Sequence, residues 1–346
     1  MRCDNAIHSG GWYSKNILKE RGDEMKRQTE GWLTRPWVVC LLAGTCCLLW
    51  GSAMPVIKQG YTLWNIPAGD YAAKILFAGL RFAVAGGLVI LFSSLSARKF
   101  LLPKSKSLPY VFKLAMVQTV LQYVFLYVGL ANTAGVRSSI LNGCSSCFAI
   151  LLACFLLRTE RFTRAKLLGC ILGPAGVILM NLGSSGGEGA SLLGDACILL
   201  AALSYALSSA LVKVYARYEN PVILSGWQFL VGGIVMSLLS LALGGRLHGT
   251  TGEGLALFLY LAALSAVAYS LWGTLLKRNP VSSVTIYGFM TPLFGVLLSG
   301  LLLGEQAMDA KTLGAMLLVC GSIFVVNYAE YHPQSIKHDL TGGNER

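Results

Sequence analysis

The chain has 346 residues, of which 55% are apolar and only 13% charged, and its mean hydropathy is +0.61. A soluble domain carries about 25% charged residues, so water is excluded as the main solvent. The net charge of +12 would suggest nucleic acid in a soluble protein. Here Lys and Arg sit between apolar runs, where they set membrane orientation; the implied partner is the lipid bilayer, with no nucleic acid.

Residues 1–36 form a polar, basic leader without the early apolar core of a secretory signal. Met25-Lys26-Arg27 would open an ordinary short basic leader, so residues 1–24 read as an upstream start extension. Ten apolar runs follow, at 37–58, 74–96, 109–130, 135–157, 165–183, 192–214, 221–243, 254–276, 281–303 and 311–329. Each is close to the ~20 residues that a spanning helix needs, and none alternates as barrel strands do. The expected fold is an all-α integral membrane protein of ten transmembrane helices, ending in a polar tail at 330–346. Nine of the ten cysteines lie in or beside apolar runs and read as small packing residues. Cys144-x-x-Cys147 has redox or metal spacing, but neither a second pair nor a nearby His accompanies it.

The stretch from Val136 to Ile178 recurs, shifted by 145 positions, over Val281 to Ile323. Ser138 falls on Ser283, Gly143 on Gly288, Glu160 on Glu305, Lys166 on Lys311, Gly169 on Gly314 and Gly176 on Gly321. Charged pairs in matching breaks between apolar runs mark an internal duplication. The units are 37–183 and 192–329, of five helices each. The first helices echo each other, Trp50 aligning with Tyr205 and Lys58 with Lys213 at a shift of 155. Arg81-Phe82 and Gly86-Gly87 resemble Gln228-Phe229 and Gly232-Gly233 more loosely.

Short loops that follow the even-numbered helices are rich in Lys and Arg: Arg98, Lys99, Lys104 and Lys106, then Arg158, Arg161, Arg164 and Lys166, then Lys213 and Arg217, then Lys277 and Arg278. The alternate loops are poor in them, so both termini are expected in the cytoplasm, with the chain multi-pass in the cytoplasmic (inner) membrane. An odd number of helices per unit turns the second copy upside down. Inverted repeats of this kind are the mark of secondary transporters, which hold substrate near the midplane between the halves.

Leu49-Trp50-Gly51-Ser52, Leu80-Arg81-Phe82 and Thr291-Pro292-Leu293-Phe294 running to Leu302-Leu303-Gly304-Glu305 resemble the EamA family of the drug/metabolite transporter superfamily, from about Trp37 to Tyr328. The resemblance implies a ten-helix carrier of two EamA-like units, exporting amino acids or other small metabolites. Nucleotide-sugar or drug carriers of the same superfamily are the alternative within transport, and a membrane enzyme or sensor the alternative outside it. Cys147 stands where the second copy has Pro292, which leaves a matching break in the fourth helix open.

The candidate substrate-binding residues are Arg81, Gln118, Gln122, Asn142, Trp50, Tyr205, Gln228 and Tyr287. An ionisable group well inside a span is a functional candidate by default, and Arg81 lies about two turns into the second helix, where the other reading is a snorkelling or helix-pairing residue near the outer interface. Gln118 and Gln122, four apart, share a helical face. The aromatic residues suit a cavity wall, although interfacial belts and helix packing use the same residues. Lys113 and Asp195 read as an interfacial lysine and a helix-start carboxylate. No Glu or Asp falls mid-span and no HExxH occurs, so neither a proton relay nor a metal or other cofactor is indicated. Gly169-x-x-x-Gly173, with Gly314 and Gly321, offers small faces for close helix contact. Their first use is packing between repeats, and their second a homodimer.

Overall fold

The computed structural model describes residues 31–67, 69–132, 135–181, 191–303 and 310–331. Most of the basic leader, the break containing Glu305 and most of the polar tail lie outside them. The helices are α1 (Pro36–Leu63), α2 (Tyr71–Ser96), α3 (Ser105–Leu130), α4 (Gly135–Leu151), α5 (Arg164–Asn181), α6 (Leu192–Tyr215), α7 (Pro221–Ala242), α8 (Gly252–Arg278), α9 (Val281–Leu298 and on to Leu303) and α10 (Ala310–Tyr331). Among the described residues nine stretches are long and apolar enough to cross a membrane, and the apolar part of α4, Ile140–Leu156, is shorter.

Local chemistry sets the helix starts. Pro36 and Pro221 occupy the first turns of α1 and α7, where a missing N–H costs nothing. Asp70, Ser191, Asn220 and Thr251 cap α2, α6, α7 and α8 by accepting the backbone N–H of Ala73, Gly194, Val222 and Gly254.

The packing reproduces the internal repeat. α2 lies along α7, and α5 along α10. α1 packs on α8 and α9, while α6 packs on α3 and α4. Exchanging the two five-helix units leaves this set of pairings unchanged, as a pseudo-two-fold requires, so the architecture is that of two inverted repeats.

The α2–α7 crossing is the closest seam. A Cβ on Gly86 would stand 2.4 Å from the backbone nitrogen of Leu230, and one on Gly233 would stand 2.3 Å from that of Ala83. At the shift of 147 that lays Phe82 on Phe229, Gly86 falls on Gly233, one place from the looser match read in sequence, and Ala83 on Leu230, so these are equivalent positions read in the two directions. Small residues let helix backbones approach where lipid gives no hydrophobic drive. α1 meets α9 in the same way, Gly51 resting on Thr291, Phe294 and Gly295. Two of the sequence stretches that carry the family resemblance are thus two sides of one contact.

Among the described residues three helices depart from regular geometry. α3 passes through a π-helical turn at Ala115–Leu121, and α4 ends in another at Leu152–Leu156. α9 runs from Val281–Thr285 through 3-10 geometry at Ile286–Phe289 before it becomes α-helical at Met290. Pro292, just beyond, cannot donate back into that turn. α4 stays regular through Cys147, so the break in α9 has no counterpart there. Cysteines among the described residues are free, and Cys46 and Cys47 are fully buried packing residues.

At the Lys/Arg-rich end, Glu219 in the α6–α7 turn accepts the backbone N–H of Lys104 at 2.9 Å, tying it to the α2–α3 loop. Burial works to raise its carboxyl, but hydrogen bonds from Lys104, Asn220 and Ser107 and the charge of Lys104 together hold it below the ordinary value.

Candidate functional site

Arg81 is 3% exposed, between α2 and α8. One terminal nitrogen donates to Ser265 Oγ at 3.3 Å, and Ser265 in turn donates to the carbonyl of Leu261, one turn back on α8. The guanidinium lies 4.4 Å from the centre of the Phe82 ring. Its Nε has no hydrogen-bond partner, and among the described residues no carboxylate reaches it. A buried cation without a counter-ion is costly, which makes Arg81 a functional candidate.

Around it runs a continuous chain of rings. Phe82 stacks on Phe229 at 5.1 Å and 15°, the two being equivalent residues of the two repeats, and it also touches Tyr123 at 4.5 Å. Phe229 meets Tyr269 edge-on at 4.8 Å, and Tyr269 meets Trp50 at 5.1 Å. Trp50 further contacts Trp272 at 4.9 Å and Tyr205 at 6.1 Å. The hydroxyls of Tyr123 and Tyr269 bond each other at 3.1 Å, and both rings lie within reach of the Arg81 charge. Six helix segments therefore converge here, three from each repeat.

The π-helical turn of α3 faces α6 and α7. It presents Thr119, which donates to Gln228 Oε1 at 2.8 Å, above the gap left by Gly232. Single π turns inside α-helices recur at functional sites. Gln118 and Gln122 are both buried, the latter with a free carbonyl oxygen. Unpartnered buried polar atoms gather in this region: Arg81 Nε, Gln122 Oε1, Gln228 Nε2, the indole nitrogens of Trp50 and Trp272, and the Tyr61 hydroxyl. Such groups need partners in a low-dielectric interior, and a polar solute would supply them.

The candidates named from sequence separate into two sets. Arg81, Trp50 and Tyr205 belong to one connected cluster; Gln228 lies next in sequence to its Phe229 and is tied to Thr119 of α3, the helix that also carries Gln118 and Gln122. Asn142 is exposed on α4 and takes no part. Tyr287 is buried in the 3-10 stretch of α9, where its carbonyl accepts the thiol of Cys47 at 3.2 Å, and among the described residues its ring makes no ring contact with the cluster. Lys113 is exposed, as an interfacial lysine would be. Sequence reasoning missed Thr119 and Ser265, because a hydroxyl in a span carries no signal of its own. It also passed over the Phe82–Phe229 stack, which the echo of Arg81-Phe82 in Gln228-Phe229 already contained. A groove of about 240 Å³ on the outside of α4 and α6, lined by Phe148, Leu151, Leu152, Phe155, Leu156 and Leu203, is wholly apolar and offers such a solute no polar partner.

Comparison with known proteins agrees with the two-repeat fold. A relative from Escherichia coli (strain K12), named "Probable amino-acid metabolite efflux pump", is 28% identical over 291 residues, covering 81% of this chain and 92% of the relative. A WAT1-related chloroplastic protein of Arabidopsis thaliana is 26% identical over 293 residues, covering 81% and 67%. A solved crystal structure superposes with a TM-score of 0.70 over 86% of this chain and 98% of its own, at 18% identity, which speaks to the fold alone. The model of the EamA-like transporter family matches twice, over residues 37–182 and 192–327, and the chain is a multi-pass membrane transporter belonging to that family.

Proposed function

We propose that the chain is a secondary carrier that exports a small organic metabolite bearing a carboxylate or similar anionic group, of the amino-acid-like class, across the cytoplasmic membrane. It works by alternating access between the two repeats, with both termini in the cytoplasm. Arg81 binds the anionic group, the rings from Trp50 to Tyr123 hold the apolar part, and Gln118, Gln122 and Gln228 supply amide contacts. The observation that carries the reading is the buried guanidinium of Arg81, with no carboxylate partner among the described residues and a free Nε, among rings from both repeats. Two relatives named as amino-acid metabolite efflux pumps support the substrate class and direction. With no carboxylate mid-span, exchange or facilitated diffusion describes the transport without a proton relay.

The test is metabolite profiling of medium and cytosol from cells with and without the protein. A carboxylate-bearing metabolite should rise in the medium as it falls in the cytosol. Redistribution confined to cations or to uncharged solutes would remove Arg81 from the site.

A further inference from the structure

At the Lys/Arg-rich end of the bundle, the α4–α5 connection reaches across the boundary between the repeats. Glu160, whose side chain is 8% exposed, accepts the backbone N–H of Val281 and of Ser282 and the Ser282 hydroxyl, all at the first turn of α9. Lys166 on α5, 3% exposed, sits 2.9 Å from Glu160 and 2.6 Å from Glu330 at the end of α10. Its ammonium also donates to the carbonyl of Arg161 at 3.0 Å, and Ser282 Oγ lies 3.2 Å from Glu330. One buried ammonium and two carboxylates thus join the first repeat to both ends of the α9–α10 pair. Beside them, Lys213 of α6 holds the carbonyl of Asn279 at 2.6 Å, at the α8–α9 corner.

We propose that Glu160, Lys166, Glu330 and Ser282 form a latch that keeps this end of the transport pathway shut and separates in each cycle. Apolar packing would hold a permanent contact at least as well, since buried ion pairs are weak contributors to net stability. An ionic contact differs in what replaces it: once the end opens, water solvates each separated charge, whereas separated apolar surfaces gain nothing from it. The placement fits a moving part. α9 starts at the latch, passes through its 3-10 stretch, and reaches the tight contact with Gly51 of α1. Releasing the latch frees the first turns of α9 to swing on that contact. Cys47 of α1, fully buried against the Tyr287 carbonyl, lies between the latch and the contact.

The latch rests on the alternating-access reading, but its test needs no substrate and so fails or stands separately from the substrate class. Cys47 is kept as the sole cysteine, and its labelling by a membrane-impermeant maleimide is followed from each face, in intact spheroplasts and in inside-out vesicles. Glu160→Gln should raise the labelling rate from the Lys/Arg-rich face about tenfold, as expected for a tenfold rise in the open population, with no rise from the other face. Glu330→Gln, which leaves the Glu160 contacts in place, should give a smaller change in the same direction and carries the test if Glu160→Gln does not accumulate. Equal increases from both faces would make the cluster ordinary packing whose loss loosens the bundle. Unchanged labelling in the variants that reach the membrane would equally overturn the latch.

Discussion

Arg81 donates to the Ser265 hydroxyl and packs on the Phe82 ring, with no carboxylate beside it among the described residues, and that decides what its replacement should do. Removing one partner of a buried ion pair usually destabilises, because the other charge is left behind. No charge is left behind here, so Arg81→Gln should yield a protein whose detergent melting temperature is equal to or above that of the parent. Its transport should fall about 10- to 100-fold, the weight of one charge-assisted hydrogen bond. Arg81→Lys keeps the charge but loses the planar two-donor fork, and should retain part of the activity. Parental flux of an anionic substrate through the Gln variant would reduce Arg81 to a structural residue. For Gln118 and Gln122, replacing both with Leu should abolish transport and leave the protein in the membrane, because a polar contact inside the bilayer is worth only about 1 kcal/mol. Normal flux in that double variant would return both to packing.

Among the helices, the α2–α7 crossing makes the firmest demand. Gly86→Val places its Cβ on the backbone of Leu230 and Gly226, where no side-chain rotation gives relief. It should cost roughly 1–3 kcal/mol or more, as overpacking does, and appear as low accumulation or a depressed melting temperature. The neighbouring Gly87 has nothing within 4 Å, so Gly87→Ala should behave as the parent and serves as the control. Helix positions were legible in the sequence because a spanning segment must be apolar for a fixed length; the run expected at 221–243 is a helix at Pro221–Ala242. What was not legible followed from interactions without a hydropathy signature. α1 continues past Lys58 to Leu63, since a lysine at a helix end can extend its ammonium toward the interface. The π turn of α3 depends on what α6 and α7 press against it, and no composition announces it. In the site, Arg81 stood out as a charge in an apolar run, whereas Asn142 looked the same as a lining amide until its exposure on α4 was known.

Over the whole chain, the Lys/Arg bias and the odd helix count per repeat make one checkable statement about sidedness. Reporter tags at Ser105 and Ser335 should lie in the cytoplasm and tags at Ser185 and Gly249 outside. A cytoplasmic reading at Ser185 would contradict the inverted arrangement. The pairing of α1 with α8 and α9, repeated as α6 with α3 and α4, supplies the counterpart of that sidedness within the bundle.

The stacked Phe82 and Phe229 carry unlike neighbours, a guanidinium at position 81 and an amide at position 228. Two separate copies of a single five-helix chain, paired antiparallel about a true two-fold, could not do this. They would have to place the same residue at both positions, either two arginines repelling each other beside one stack or two glutamines with no charge at all. Joining the copies in one polypeptide lets each mutate alone. If the substrate site proposed above lies here, a nearly symmetric scaffold holds it with one cationic side and one neutral side. That polarity would then give an asymmetric solute a single preferred way to lie across the membrane, which a strictly two-fold site would leave undefined.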